Sequence, residues 1–147
     1  MKRHDWATHR NAAHRMVVTT VRVAERLVKA ADRFLKPHNL TVAQFNLLAV
    51  LSTEPGGLAQ ARIGELLVVS RANVTGLVRR LLASGLCRIQ ADPSDARVNK
   101  VLITAAGRRR LDRLQEDYFR EIDRLTRSLT AAETRSVSDI LDRLDVD

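Results

Sequence analysis

Three observations predict a mainly helical fold with one small β-hairpin. The apolar residues, 45% of the 147, recur at three- and four-residue spacings along most of the chain. Aromatic residues supply only 3%, so the core must be built from Leu, Val, Ile and Ala, which suits helix-on-helix packing better than stacked sheets. One stretch near residues 86–104 departs from that pattern, with β-branched residues on either side of a cluster of turn formers. The predicted order is α-α-α-α-β-β-α-α, a length that fits one domain or one domain with a dimerisation extension.

Ala13, Met16, Val17, Thr20, Val21, Ala24, Leu27, Val28, Ala31 and Phe34 or Leu35 form one stripe on a helix of about seven turns, which Pro37 stops. That helix is longer than a small domain needs for its own core. Thr41-Val42-Ala43-Gln44 reads as a capping box for a second helix through Phe45, Leu48 and Leu51, and Glu54-Pro55-Gly56-Gly57 as a turn. Two short helical patterns follow between Leu58 and Gly85. Leu86–Gln90 and Val98–Thr104 are the hairpin strands, joined by Ala91–Arg97. After Gly107 a long stripe runs through Leu111, Leu114, Tyr118, Ile122, Leu125 and Leu129. Thr130-Ala131-Ala132-Glu133 is another capping box, opening a last helix with Val137, Ile140, Leu141 and Leu144. The chain has no internal repeats or low-complexity tracts.

No stretch reaches the roughly 20 apolar residues of a membrane span, and the basic N-terminus has no apolar run behind it to make a signal peptide. The single Cys87 excludes an internal disulfide framework, so the expected location is the cytoplasm. The net charge is +8 and unevenly placed: residues 60–110 hold ten Lys or Arg against three Asp or Glu, whereas residues 111–147 hold six against ten. A basic block of this kind suits a polyanion, because each cation at a phosphate releases a condensed counterion. On charge alone a solvated basic surface explains it equally well.

Gln60 to Leu81 matches a helix-turn-helix at several offsets. Ile63, Leu66 and Leu67 stripe the first helix, Gly64 is small where the helices should cross, and Val69 plugs the turn. Ser70 is a strong N-cap for the second helix, Val74, Leu77, Val78 and Leu81 are its buried stripe, and Ser84-Gly85-Leu86 its glycine C-cap. The face left over carries Arg71, Ala72, Asn73, Thr75, Gly76, Arg79 and Arg80. Arg suits guanine O6/N7, Asn suits adenine N6/N7, and Thr offers a hydroxyl and a methyl, as a helix in the major groove requires. Ala72 and Gly76 leave room for bases. Gly76 costs about 1 kcal/mol against Ala inside a helix, and close approach to DNA is one reason to accept that cost. The blander reading is a solvated face with an incidental glycine. At the hairpin tip, Asp95 sits two residues from Arg97, where an acid can aim a guanidinium into a narrow minor groove. Alone, that pair would be an ordinary surface ion pair.

The run Leu66-Leu67-Val68-Val69-Ser70-Arg71-Ala72-Asn73-Val74-Thr75-Gly76-Leu77-Val78, with Leu81, Gly85-Leu86, Asp92-Pro93, Asp95, Arg97 and Leu102-Ile103-Thr104-Ala105-Ala106-Gly107, resembles the MarR (multiple antibiotic resistance regulator) family across about residues 12–145. The resemblance implies a winged helix-turn-helix lobe at 40–107 and a helical dimerisation region at 8–36 and 108–147, together one MarR-like domain over 1–147. It implies a cytoplasmic homodimer that binds a palindromic operator in double-stranded DNA, commonly as a repressor released by an effector. Ser70, Arg71, Ala72, Asn73, Thr75, Gly76, Arg79 and Arg80 become its recognition-helix residues, Arg97 the wing arginine, Asp95 its partner, and Lys100 a further DNA contact. A small aromatic or anionic effector is implied in the cleft between the dimer helices and the DNA-binding lobe, with His14, Arg15, Arg22, Phe45 and Tyr118 as lining residues. Two positions depart from the family pattern: Val68 stands where an αL-tolerant residue is usual in the turn, and Ala59 replaces a Ser or Thr cap.

Other features point to less. His4, His9 and His14 recur every five residues, whereas helical metal pairs prefer three or four, so no metal site is expected. Cys87, on an alternating strand with no lysine-rich setting, reads as a buried structural residue. Arg108-Arg109-Arg110 near the start of the fifth helix opposes its macrodipole, which phosphate contact by one of them would offset. No glycine-rich phosphate loop, His-Glu metal motif, Gly-x-Ser-x-Gly or apolar carboxylate pair supports an enzyme or a cofactor. The alternative is a winged helix used for protein contact without DNA, which would predict an apolar or acidic recognition face. The sequence names neither the effector, the operator and its genes, nor the direction of regulation.

Overall fold

The computed structural model describes residues 11–67 and 71–144, in two compact units divided after Val42. In the first unit, helix α1 (Ala12–Leu35) starts at Asn11, whose side chain accepts the His14 N–H at 2.8 Å. It ends where Pro37 enters a short 3₁₀ turn, Lys36–His38, closed by Asn39 in the left-handed region at φ 54°. The Asp32 carboxylate then accepts the N–H of Val42, the first residue of α2 (Val42–Ser52), at 2.7 Å. Val17, Val21, Val23, Leu27 and Val28 remain exposed on α1. Among the described residues no helix is long and apolar enough to cross a membrane.

In the second unit α2 buries Gln44, Phe45, Leu47, Leu48 and Leu51, covering more than one face. The turn after it closes with the Gly57 N–H on Glu54 O at 2.9 Å. Gly57 has φ +75°, and a Cβ there would lie 2.6 Å from Leu102 Cγ, so only glycine fits. Strand β1 (Leu58–Ala59) follows, which the local pattern does not announce: two residues are too few for a period, and their partner is distant in sequence. Leu58 pairs with Val101 and Ala59 with Lys100 on β3 (Asp95–Ile103), which also pairs with β2 (Cys87–Asp92), giving a three-stranded antiparallel sheet in the order β1-β3-β2.

The hairpin strands are longer than expected, β2 at Cys87–Asp92 and β3 at Asp95–Ile103, with a register shift at Ala91/Asp92. The link contracts to Pro93-Ser94 because the Asp92 carboxylate accepts the Ser94 N–H at 2.8 Å and pairs with Lys100 Nζ at 2.8 Å. Helix α5 (Ala105–Thr126) begins ahead of Gly107, since Thr104 is its N-cap and takes the Gly107 N–H on its hydroxyl at 3.0 Å. Helix α6 (Ala131–Leu141) opens with the expected capping box between Thr130 and Glu133. The core of this unit includes Leu47, Leu48, Leu51, Ile63, Val74, Val78, Leu81 and Val101, all nearly inaccessible. Each such side chain contributes about 1.5–3 kcal/mol by leaving water.

Candidate nucleic-acid interface

Helix α3 (Gln60–Leu67) buries Ile63, and helix α4 (Arg71–Ala83) packs against it and against β2. The three- and four-residue spacing of Val74, Leu77, Val78 and Leu81 turns all four inward, none more than 6% exposed. The same geometry leaves Ala72, Asn73, Thr75, Arg79 and Arg80 exposed. Arg71 is the first residue of α4, while Ser70 and the turn residues Val68 and Val69 lie outside the described residues.

Gly76 sits on this helix with no atom within 4 Å of where a Cβ would be. Neither packing nor backbone conformation requires glycine there, so its helix cost has no internal compensation. Gly85 is different. It holds φ +67° in a Schellman cap: the Leu86 N–H donates to Leu81 O at 2.9 Å and the Gly85 N–H to Leu82 O at 3.0 Å. That cap stops α4 and turns the chain into β2.

At the wing, the Asp95 carboxylate accepts the backbone N–H of Arg97 at 3.0 Å, not a guanidinium N–H as the sequence suggests. With both residues inside β3, the carboxylate reaches back over one residue and fixes the strand, while the Arg97 side chain stays exposed. Lys100 is half-buried on the outer sheet face, bonded to Asp92. That bond and the Ser94 N–H hold the Asp92 carboxyl below the usual carboxylate range. The outer face, with Pro55 and Gly56, borders an open groove of about 460 Å³ that also takes in Arg88, Gln90 and Leu102.

Arg108 does not wait for an outside anion. Its guanidinium donates to Ser52 O at 2.9 Å, placing a cation at the electronegative end of α2. Arg109 is exposed and Arg110 half-buried. Cys87 is buried, its S–H directed at Val78 O at 3.8 Å, and burial pushes its thiol up to about 11. Of the expected effector residues, Phe45 is buried and meets Tyr118, ring centroids 4.5 Å apart. His14, Arg15 and Arg22 lie on α1 in the first unit. His4 and His9 fall outside the described residues, among which no group of three or more His, Cys, Asp or Glu is placed to hold a metal.

Reading the chain alone missed Gln60, whose Oε1 accepts the Thr75 hydroxyl at 3.0 Å and joins α3 to the exposed face of α4. The fifteen residues between them hide that bond from any local pattern.

The MarR family profile matches residues 38–98. The HTH-type transcriptional repressor IacR of Pseudomonas putida is 28% identical over 121 residues, 82% of this chain and 72% of the relative. In structure, the DNA complex of Sco3205, a MarR family transcriptional regulator from Streptomyces coelicolor, matches with a TM-score of 0.83 at 22% identity, covering 90% of this chain and 86% of the other. CouR from Rhodococcus jostii RHA1, bound to p-coumaroyl-CoA, matches with a TM-score of 0.78 at 22% identity, covering 90% and 95%. At those identities the two structures speak to the fold.

Proposed function

We propose that the chain is a MarR-family transcription regulator that binds a palindromic operator in duplex DNA as a cytoplasmic homodimer and represses until a small effector releases it. The observation that carries this reading is the division of α4. Its apolar stripe is fully used inside the chain, and its other face offers Asn73, Thr75, Arg79 and Arg80 around a glycine that nothing in the fold requires. Close approach of base edges gives that glycine a purpose. In this role Ala72, Asn73, Thr75, Gly76, Arg79 and Arg80 face the major groove, and Arg97 enters the minor groove from a strand that Asp95 stiffens, beside the Lys100–Asp92 pair.

Residues 40–107 act as the DNA-binding lobe, and 8–36 with 108–147 join two copies. Effector release draws support from CouR, whose ligand is both aromatic and anionic. Arg15 and Arg22 carry guanidinium groups, and Phe45 and Tyr118 aromatic rings, of the kinds such a compound would need, with His14 as a further polar group.

Footprinting on the DNA upstream of the chain's own gene tests the reading. We expect two symmetric half-sites about one helical turn apart, protection that weakens steeply with salt, and release by a member of an aromatic-acid panel. Protection that ignores both sequence and salt would end it.

A further inference from the structure

Lys100 reads as a DNA contact in the sequence, but its charge is already engaged within the wing. We infer that Asp92 and Lys100 are positioning residues, which hold the wing arginine, Arg97, at the angle the minor groove requires. Lys100 then acts on DNA through Asp92 and Arg97 and not by touching phosphate. The inference rests on the reading that Arg97 enters the minor groove.

The pairing of β2 with β3 shows what needs holding. From Cys87 against Ile103 to Ala91 against Asn99 the register is regular, but the next residue, Asp92, faces Asp95. Ala96, Arg97 and Val98 are therefore extra residues on β3, set against the single step from Ala91 to Asp92. A bulge bends its strand and re-aims the side chain it carries, and Arg97 is at the centre of this one, exposed. Residues with no counterpart across the hairpin need other ties. One comes from inside the bulged segment, where the Asp95 carboxylate accepts the Arg97 N–H at 3.0 Å. The Asp92–Lys100 pair supplies the other, since Asp92 stands at the tip end of the bulge and Lys100 just beyond its base. Asp92 uses both oxygens: Oδ2 meets Lys100 Nζ at 2.8 Å, and Oδ1 accepts the Ser94 N–H at 2.8 Å. Lys100 faces Ala59 on β1 and Gln90 on β2, so the carboxylate ties the wing tip to the central strand of the sheet. The Asp92 and Lys100 side chains are 15% and 30% exposed, against 57% and 69% for the Asp117–Arg120 pair of α5. Solvent competes less for such a bond.

The experiment uses the full-length chain. Selection from a randomised duplex pool identifies its site, and the same selection with Arg97→Ala marks the base pairs the wing reads, as those where A·T preference is lost. Affinities are then measured over a salt series on this site and on a copy with G·C at those base pairs. The ratio of the two is the wing preference, and overall charge does not move it because both duplexes present the same phosphates. We expect Asp92→Asn, which keeps an acceptor for the Ser94 N–H, to lower the wing preference by roughly two- to fivefold, the ceiling that a partly exposed ion pair can set. Lys100→Met should lower it equally, and the two together should go no further. Lys100→Arg keeps the pair and should hold the preference. Lys100→Met should also leave the dependence on salt unchanged, whereas losing a phosphate contact would reduce the log–log slope by about 0.9. Should Lys100→Met fail to fold by its melting curve, Lys100→Gln carries the same expectations. A wild-type wing preference in Asp92→Asn or Lys100→Met, or a reduced salt slope in the latter, overturns the inference and leaves Arg97 in the minor groove. An Arg97→Ala selection identical to wild type, or a wild-type pool with no enriched site, overturns that underlying reading, and the inference with it.

Discussion

Helices α4 and α6 are similar in length and both carry apolar residues at helical spacing, yet they treat those residues in opposite ways. In α4, Val74, Leu77, Val78 and Leu81 are sealed against α3 and β2. In α6, Val137 and Ile140 are 47% and 49% exposed, and Leu141 is open as well. The first stripe is completed within the chain, which leaves the opposite, polar face exposed. The second is left exposed by one chain, as are Val17, Val21 and Val28 on α1, and in the dimer proposed above a second copy covers such faces.

The comparison breaks most visibly if α6 is charged. Val137→Glu with Ile140→Glu should give a folded monomer by sedimentation and lower affinity for a two-half-site operator by on the order of 10²–10⁴-fold, because each lobe then binds alone. A wild-type chain that is monomeric and well folded at micromolar concentration would remove the distinction between the helices. Leu81→Ala attacks the other side. It should cost about 2–5 kcal/mol in denaturant unfolding, since the site is fully enclosed, whereas Arg79→Ala two residues earlier should cost almost nothing.

Gly76→Ala sharpens the contrast most cleanly. The added methyl meets no protein atom, so the helix should gain about 1 kcal/mol of stability while operator affinity falls. Unchanged affinity would mean that bases do not approach this part of α4. The smallest effect concerns pH. Asp92 and Glu133 both have carboxyls held low, the first by Lys100 and Ser94, the second by the backbone N–H and hydroxyl of Thr130. Lowered values stabilise the folded form above the usual carboxylate range, and the benefit disappears as pH falls through that range and below it. The Ser94 and Thr130 amides should therefore lose hydrogen-exchange protection in mild acid, and Asp92→Asn should flatten the response at Ser94.

What was legible in the chain is what depends on near neighbours. The stripes of α1, α4 and α5, the glycine cap at Gly85 and the Thr130–Glu133 box each lie within a few turns of helix, so spacing alone exposes them. The exposed polar face of α4 was legible for the same reason, as the complement of its stripe. Strand β1 was not, because Leu58 becomes a strand residue only when Val101 arrives beside it. The bond from Arg108 to Ser52 O was not legible either, because 56 residues separate the two. Asp95 was read as aiming the Arg97 guanidinium, whereas its carboxylate takes the Arg97 backbone N–H, a choice that depends on strand geometry rather than residue type.

Thr104 has a further consequence. Its hydroxyl donates to Gly85 O at 2.7 Å, its N–H donates to Leu86 O at 3.1 Å, and a Cβ on Gly107 would sit only 2.1 Å from that same Leu86 oxygen. The C-terminal cap of α4 and the first turn of α5 therefore share one joint, in which the residues that close one helix, Gly85 and Leu86, supply the carbonyl acceptors that seat the other, so a side chain added at Gly107 would disturb both helix ends at once.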